Sequence, residues 1–599
     1  MSKPSNQINR RSFLSRSLCG MGALAVGQTS GLFGRTALAR SNSHSKALYA
    51  TSDYTDNILI NSAFMDRQQL DDLHKCLAEI GVTRHQWIVD TFWNIYDDYP
   101  HGFDLLANAV ESAHAHGIEF YAEIKPFENG GFGVAFPHSM PFSEDMQAFR
   151  DLRGIFPVAG PFASQNPHLC LKRKPDTHKV DGPVKTIRLV KWNDSPTRVK
   201  PEHLSIWSSS ANNHFKQYNG PVEYKETIDW RFRFPKWRQS RILSMEGLDL
   251  PEDHHYVLIK CSLADRGGDF RNECGNILEL VNGDGELIPH TLGTGRGSLE
   301  EHNKGFYQSE FISRMLPYLQ NKRVQQEIRD PQKMLDHYRE FYNFGEYYRM
   351  DDWITLDQEG VLVAACSKPE YMLGSLHPIY PEVQNLWLDR VRYCLDRNVD
   401  GMNFRVANHT RLANYWEYGF NEPVLEKANG KTDYTTISRI NGDAYTQFLR
   451  KARQMIKAKG KGLTIHLHAG MLRPDDRPGR LSSLPPNFEW QWKTWAKEIA
   501  DELEFRGGFI LRPWNKDQVL DIYSSYADKV NKPFHYQSDF HSMTNDEGRR
   551  QCKQHEVELV KSHPGIDGFV LYETANYTRL NEKGRIENKP YIVEVMKNY

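Results

Sequence analysis

Short apolar runs closed by a charged, polar or histidine residue constrain this chain more than any other feature. Most of them alternate with amphipathic stretches of helical spacing, which is how parallel strands are connected. The runs are Ile58–Ser62, Gln86–Asp90, Phe120–Lys125, Gly401–Arg405, Leu463–His468, Leu503–Arg506, Phe534–Asp539 and Phe569–Glu573. Their order predicts an α/β fold, a (β/α)8 TIM barrel. Such barrels carry their chemistry at the C-terminal ends of the strands.

The chain has 599 residues, whereas a bare barrel needs about 250, so a second folded unit is expected. The alternation of strand and helix stops for a long stretch after the third run. Within it, residues 187–192, 204–207, 256–260 and 277–281 form β-like runs, and Asn282-Gly-Asp-Gly285 is a strong hairpin turn. This pattern predicts an all-β sandwich inserted after strand 3.

These signals divide the chain into a leader, a barrel in two parts and an insertion. The predicted ranges are a signal peptide at 1–39, a linker at 40–52, the first barrel part with strands 1–3 at 53–128, a loop region at 129–179, the β-sandwich at 180–300, a connecting region at 301–374 and the second barrel part with strands 4–8 at 375–599.

The leader has the three parts of an export signal. Asn9-Arg10-Arg11-Ser12-Phe13-Leu14 is a twin-arginine pattern, and Ala37-Leu38-Ala39 offers a small-residue cleavage site. The apolar stretch between them is shorter than the roughly 20 residues of a membrane anchor. We therefore predict export by the twin-arginine (Tat) route to the periplasm or the extracellular space, with no membrane span in the mature chain.

Composition narrows the classes of partner. The formal net charge is −1, so a nucleic-acid partner is not expected. No C-x-x-C pair occurs, which removes the usual zinc-knuckle pattern. Aromatic residues make up 12% of the chain, and surplus Trp and Tyr suit the flat apolar faces of sugar rings. A polysaccharide or oligosaccharide would suit such side chains, although most of them are expected to lie in the core, and no cofactor is predicted.

Three carboxylates are candidates for catalysis. Glu573 closes the last predicted strand, Asp539 closes the seventh and Glu123 lies near the end of the third. Hydrolysis of a glycosidic bond needs two carboxyl groups, one to protonate the leaving oxygen and one to attack or to activate water. These three could converge at a barrel mouth, and the sequence does not select the pair.

Other polar residues at strand ends are predicted to bind the substrate. Lys125 shares a strand face with Glu123, because side chains in a strand alternate between faces. The full set is Lys125, Arg405, His409, His468, Trp93 and Asp90. The pair His466-x-His468 also permits a metal site. However, it lies on the fifth strand with only His535, Asp539 and His541 downstream, so we favour substrate binding.

Several motifs together resemble the family-10-like glycosyl hydrolases. They are Asp400-Gly-Met-Asn-Phe-Arg405 through His409, Tyr418-Gly-Phe-Asn-Glu-Pro423, Trp492-Lys-Thr-Trp495 and Gly565-Ile-Asp-Gly-Phe-Val-Leu-Tyr-Glu573. Members of that family are exported barrel proteins of bacteria that degrade complex polysaccharides. The resemblance implies a glycosidase-type barrel that acts on a polysaccharide.

One departure from that family pattern keeps three functions open. Arg405 stands where the resemblance implies an aspartate nucleophile on the fourth strand. Either the nucleophile is Asp539 or Glu573, which gives a glycoside hydrolase, or the protein is a glycan-binding barrel without catalysis. The third alternative is a metal-dependent hydrolase or deacetylase that uses the histidines at the barrel top.

Overall fold

Eight parallel strands close into a barrel in the computed structural model. The structure describes residues 46–599 except 54–64, 90–101, 130–159, 176–181, 192, 213, 234–235, 264–269, 271–277, 293–359, 407–414, 473–483, 507–515 and 539–545. The barrel strands are β1 (Ala47–Ser52), β2 (Arg84–Ile88), β3 (Glu119–Ile124), β4 (Gly401–Arg405), β5 (Gly462–His468), β6 (Glu502–Arg506), β7 (Phe534–Gln537) and β8 (Gly568–Tyr572). Each pairs with the next in chain order, and β8 pairs with β1. The predicted TIM barrel is confirmed.

Helices alternate with these strands. The longer ones are α1 (Arg67–Glu79), α2 (Leu105–Ala115), α3 (Pro381–Leu395), α4 (Tyr434–Ala458), α5 (Lys516–Lys529), α6 (Asp546–Ser562) and α7 (Pro590–Met596). Short helical segments are Pro161–Gln165, Pro167–Leu169, Pro201–His203, Tyr415–Glu417, Glu422–Lys427, Ala469–Leu472, Trp492–Thr494, Trp495–Ile499 and Thr574–Tyr577. A small hairpin, Thr578–Leu580 with Ile586–Asn588, precedes α7.

Local sequence explains where the helices begin and end. Asp66 caps α1 by accepting a hydrogen bond from the Gln69 amide at 2.8 Å, and Asp104 and Asp433 cap α2 and α4 in the same way. Side-chain capping of this kind satisfies amide groups that the first helical turn leaves unpaired. Glycine 117, just after α2, has φ +71°, a left-handed conformation that glycine adopts without strain.

The barrel strands alternate between an apolar outer face and a polar inner face. Outward residues such as Phe120, Ala122 and Phe404 are buried in the main hydrophobic core. Inward residues include Glu123, Asn403 and Glu504, which are completely buried. The interior of this barrel is therefore a hydrogen-bonded stack of polar side chains, in place of the branched apolar layers common in TIM barrels.

The first predicted strand is wrong. The place beside β8 and β2 is taken by Ala47–Ser52, which the sequence analysis placed in the linker, while Ile58–Ser62 lies outside the described residues. Ala47-Leu-Tyr-Ala-Thr-Ser52 is rich in small residues, but its register with Gly568–Tyr572 buries it. The other seven predicted runs differ from the observed strands by at most two residues at either end.

The insertion after β3 is the predicted two-sheet sandwich. One sheet contains Leu278–Val281, Thr186–Val190, Lys236–Glu246 and Glu223–Arg233 in that order. The other contains Thr291–Leu292, Gly360–Cys366, Tyr256–Cys261, Leu204–Ser209 and Lys216–Gln217. Buried residues of both sheets, among them Ile187, Leu243 and Val257, form one hydrophobic cluster. Strand Gly360–Cys366 belongs to this sandwich, which therefore extends beyond the predicted boundary at residue 300.

Two strands join the sandwich to the barrel. Cys170–Lys172, on the way out, pairs antiparallel with Tyr371–Leu376, on the way back. The Asn129 amide donates to the Gly374 carbonyl at 2.9 Å, and the His377 amide donates to the Leu169 carbonyl at 2.8 Å. We call this two-stranded connection the stalk. No helix in the part of the chain that the structure describes is long and apolar enough to cross a membrane.

Candidate active site

The floor of the barrel is built around Arg84 of β2. Its guanidinium forms ion pairs with Glu119 at 2.9 Å and with Glu502, and it lies 4.3 Å and 3.9 Å from the ring centroids of Tyr49 and Tyr121. Burial opposes ionisation of Glu502, but His535 and Arg84 outweigh that effect and hold its pKa at about 2. The floor is thus a charge-compensated layer around a buried guanidinium, with the Glu119 side chain reaching solvent.

Above the floor, two fully buried carboxyl groups share one amide. The Asn403 side chain donates to Glu123 Oε2 at 3.2 Å and to Glu504 Oε2 at 3.4 Å. Glu504 also accepts from Gln86 at 2.6 Å and from Gln537 at 2.7 Å. Arg405 Nη1 donates to Glu123 Oε1 at 3.2 Å. The arginine therefore lies beside Glu123, whereas the hydrogen bonds that Glu504 accepts from described residues come from the neutral amides of Gln86, Asn403 and Gln537.

This arrangement keeps a proton inside the barrel. Burial and the neighbouring charge of Glu123 raise the pKa of Glu504 to about 8. Burial also raises the pKa of Glu123, against the opposing effect of Arg405. His466 Nε2 lies 3.4 Å from Glu504 Oε1 and has no other hydrogen-bond partner among the residues described. Burial lowers the pKa of His466 well below its usual value, so its neutral ring can accept a proton shared by Glu504.

Asp53 and Lys125 form an ion pair at the carboxyl ends of β1 and β3. Lys125 Nζ lies 3.1 Å from Asp53 Oδ2 and 2.9 Å from Glu128 Oε2. All three side chains are buried, with 3–7% of each exposed. The second carboxylate oxygen of Asp53, Oδ1, has no hydrogen-bond partner within the part of the chain that the structure describes. A buried oxygen without a partner is costly, which makes it a natural acceptor for a ligand hydroxyl.

Glu573 follows β8 directly, next to the end of β1. The register pairs Thr51 with Tyr572, so Asp53 and Glu573 are the first acidic residues beyond two adjacent strands. Tyr572 lies under two arginines, with its ring centroid 5.0 Å from Arg405 Cζ and 4.1 Å from Arg506 Cζ. The mouth of the barrel at this point thus combines two carboxyl groups, two guanidinium groups and one aromatic ring.

The pKa of Glu573 is raised to about 7. Burial is the largest cause, and the negative charge of Asp53 is the second. A hydrogen bond with Tyr572 and the charges of Arg506 and Arg405 act in the opposite direction without cancelling the first two. Glu573 is therefore partly protonated at neutral pH, as a general acid must be.

The other sequence-predicted residues fall into two groups. His468 is partly exposed at the end of β5, where its Nδ1 accepts from the Gly470 amide at 3.0 Å. Asp539, His409, Trp93 and Asp90 lie outside the described residues. The structure brings Lys125, Arg405 and Glu123 together with Glu573 at one end of the barrel, but it encloses Glu123 completely beneath Arg405.

Four residues that the sequence analysis did not single out take part in this site: Asp53, Glu504, Arg506 and Tyr572. Asp53 was hidden by the misplaced first strand, because it follows the strand that the sequence analysis treated as linker. Glu504 stands between the apolar residues Leu503 and Phe505 in β6. This alternation, which places its side chain on the inner face of the barrel, was the only sequence signal for its role in the site. Within the residues described, no group of three or more His, Cys, Asp or Glu side chains is placed to hold a metal ion.

Comparisons with known proteins give little beyond the fold. No protein-family model matches the chain, and no curated protein matches it, so the resemblance to family-10-like hydrolases finds no support there. Two of the solved structures that match this chain illustrate the low level of similarity. The catalytic domain of a beta-amylase from Paenibacillus polymyxa matches with TM-score 0.31 and 8% identity over 92% of this chain and 97% of that one.

The second is the glycoside hydrolase domain of PelA from Pseudomonas aeruginosa. It matches with TM-score 0.21 and 12% identity over 35% of this chain and 68% of that one. Both neighbours are glycoside hydrolase domains, but similarity at this level carries no argument about function. The function of this chain must therefore be inferred from its own side chains.

Proposed function

We propose that this protein is a glycoside hydrolase that acts on a polysaccharide or oligosaccharide, with Glu573 as its general acid. The observation that carries the proposal is the pairing of Glu573 with Asp53 at the ends of adjacent strands. Burial and the Asp53 charge raise the pKa of Glu573 to about 7. Two carboxyl groups with such different environments are the minimal machinery for glycosidic bond cleavage.

Asp53 is our choice for the second carboxylate. Asp53 Oδ2 lies 3.1 Å from Lys125 Nζ, and Oδ1 has no hydrogen-bond partner among the described residues, which leaves one carboxylate oxygen for a substrate atom. Neighbouring strands are about 4.8 Å apart, which is closer to the roughly 5 Å separation of retaining enzymes than to the roughly 6.5–9.5 Å of inverting ones. We therefore expect retention of the anomeric configuration, with Asp53 as nucleophile.

Glu123 and Asp539, the other two predicted catalytic carboxylates, have different roles in this proposal. Glu123 is fully enclosed and bound to Asn403 and Arg405, which suits a residue that orients Arg405 and does not contact substrate. Asp539 remains a predicted catalytic residue that the structure does not describe. Lys125, Arg405 and His468 stay as predicted substrate-binding residues, together with His409, Trp93 and Asp90. Export through the twin-arginine route also remains a prediction.

The test begins with sugar release from a broad panel of polysaccharides, measured as reducing ends. The wild-type protein is compared with Glu573→Gln, Asp53→Asn and Glu594→Gln, the last being a matched control because Glu594 is a largely exposed residue of α7. We expect the first two variants to lose activity by at least about a hundredfold and the control to keep it. Full activity in Glu573→Gln would contradict the assignment of the acid.

Two chemical controls separate the roles of the carboxyl groups. An aryl glycoside with a good leaving group needs little acid assistance, so Glu573→Gln should retain far more of its activity on it. Added azide can replace a missing nucleophile, so it should restore turnover in Asp53→Asn and yield a glycosyl azide. If no glycan is cleaved but one binds, the glycan-binding alternative replaces the hydrolase.

A further inference from the structure

A chain of buried hydrogen bonds runs from the helical layer to the two residues that adjoin Asp53 and Glu573 in the sequence. It begins at Ser112 of α2, whose hydroxyl lies 2.9 Å from His74 Nδ1. His74 Nε2 lies 2.9 Å from His85 Nδ1, and His85 Nε2 lies 2.7 Å from Ser52 Oγ. Ser52 Oγ then lies 2.6 Å from Thr574 Oγ1. We call these five residues the hydroxyl–histidine chain.

The end of this chain lies beside the proposed catalytic pair. Ser52 immediately precedes Asp53, and Thr574 immediately follows Glu573. The hydrogen bond between Ser52 and Thr574 therefore ties the carboxyl end of β1 to the segment that leaves β8. The described backbone ladder between β1 and β8 ends one pair earlier, at Thr51 and Tyr572, so this side-chain hydrogen bond extends the connection between the two strands beyond it.

The rest of the chain anchors that tie to the body of the barrel. Its members are 0–3% exposed, and they come from α2, α1, β2, β1 and the short helix after β8. A buried polar group without a partner costs about 1–3 kcal/mol, so breaking one link leaves two groups unpaired. The two imidazoles cannot both present a proton to each other, and burial lowers the pKa of His74 and of His85. The rings are therefore neutral, each donating once and accepting once.

From this geometry we infer that Ser52, Thr574, His85, His74 and Ser112 are positioning residues that fix the separation of the Asp53 and Glu573 carboxyl groups. The inference rests on the proposed function for its catalytic consequence, because carboxyl separation decides how a glycosidase works. The geometric claim itself, that the chain holds the two groups close, does not depend on turnover.

The distance has a measurable signature in the titration of Glu573. The repulsion between the two carboxylates weakens as they move apart, and with a dielectric constant of about 20 the pKa of Glu573 falls by about 0.4 when the separation grows from about 5 to about 6 Å. Replacing Thr574 by valine keeps the shape of the side chain and removes the hydroxyl. Thr578→Val is the matched control, because its hydroxyl donates to the Thr574 carbonyl at 2.8 Å without entering the chain.

The deciding experiment is a carbon-13 NMR titration of the full-length protein labelled at the glutamate carboxyl carbons. The Glu573 signal is identified by its absence in Glu573→Gln. We expect its pKa to fall by about 0.4 or more in Thr574→Val and in Ser52→Ala, and to stay at the wild-type value in Thr578→Val. An unchanged pKa in both chain variants would overturn the inference, and so would an equal fall in the control.

Turnover gives a second, separate reading. If the wild-type protein cleaves a glycan, Thr574→Val should lower kcat about tenfold or more, since a displacement of 1 Å can cost about a hundredfold. KM should hardly change, because the chain does not contact substrate. If no glycan is cleaved, the proposed function fails, and the titration still decides whether the chain sets the separation.

Discussion

The proton held by Glu504 gives the sharpest prediction from this structure. Burial and the charge of Glu123 raise the pKa of Glu504 to about 8, from an ordinary value of 4.5. The folded protein therefore keeps a proton between pH 4.5 and 8 that the unfolded chain releases. Stability that is present below pH 4.5 must then be lost as the pH rises through this window.

The size of the effect follows from one proton. Each pH unit in the window costs about 1.4 kcal/mol of unfolding free energy, and the whole window therefore costs about 5 kcal/mol. Glu504→Gln removes the ionisation but keeps the shape of the side chain. Its amide oxygen can still accept from Gln86. Its amide nitrogen can donate to His466 Nε2 and, after a flip of the Gln537 amide, to Gln537 Oε1, and neither of these atoms has a hydrogen-bond partner among the described residues. At pH 7 we expect this variant to be more stable than the wild type by about 3 kcal/mol.

The measurement is urea unfolding of both proteins at pH 5, 6, 7 and 8. Tryptophan fluorescence is a suitable probe because Trp87, Trp387 and Trp495 are fully buried in the barrel core. The difference in unfolding free energy between variant and wild type should grow steadily with pH. If the two proteins gave parallel curves over this range, Glu504 would not hold the proton and the account of the barrel interior would be wrong.

Glu502 supplies a control of opposite sign two residues away. Burial opposes its ionisation, yet His535 and Arg84 hold its pKa at about 2. The stability from this carboxylate is present above pH 4.5 and is lost as the pH falls towards 2. Glu502→Gln should therefore destabilise the protein at neutral pH, where Glu504→Gln stabilises it. The same sign for both variants would contradict the charge assignment of the two layers.

Three further predictions concern packing, buried charge and the pH range of activity. A methyl group on Gly462 would lie 2.3 Å from the Tyr121 hydroxyl, whereas one on Gly401 would lie 2.3 Å from the Tyr121 ring. Because Tyr121→Phe removes only the hydroxyl, it should restore the melting temperature of Gly462→Ala but not that of Gly401→Ala in thermal melts. Lys125→Met should cost about 3–5 kcal/mol in urea unfolding because it leaves Asp53 and Glu128 buried without their cation, whereas loss of the exposed Lys185–Asp249 pair should cost under about 1 kcal/mol. Activity should fall as the pH rises through about 7, where Glu573 loses its proton, and a pH profile of kcat/KM that is flat from 6 to 8 would contradict the acid role.

The barrel could be predicted from the sequence because strand and helix periodicities are local. Gly401–Arg405 was predicted with the bounds that β4 has in the structure. The first strand failed because Ala47-Leu-Tyr-Ala-Thr-Ser52 has few large apolar residues. It becomes a strand through pairing with β8 and β2, and those partners are far away in the chain.

The active site was less predictable for a related reason. Glu573 stood out as a carboxylate directly after an apolar run. The environment of Asp53 depends on Lys125, 72 residues away in the chain, and the state of Glu504 depends on Glu123 across the barrel. Such pairings are set by barrel closure, and no local pattern encodes them.

The long hairpin Glu223–Arg233 with Lys236–Glu246 in the sandwich was also missed, because charged residues are interspersed along both of its strands.

The stalk has a consequence for how this chain can fold. Strand β3 ends at Ile124 and β4 begins at Gly401, so their pairing would ordinarily have to close a very long loop. Once Cys170–Lys172 and Tyr371–Leu376 have paired, the chain between β3 and β4 that must still be closed into a loop is roughly fourfold shorter. This lowers the entropic cost of loop closure by about 1 kcal/mol. A sandwich that forms early during synthesis would thus bring the ends of the two barrel parts close together before β3 and β4 pair. On the same reasoning, insertions within the sandwich could lengthen over evolution without slowing closure of the barrel.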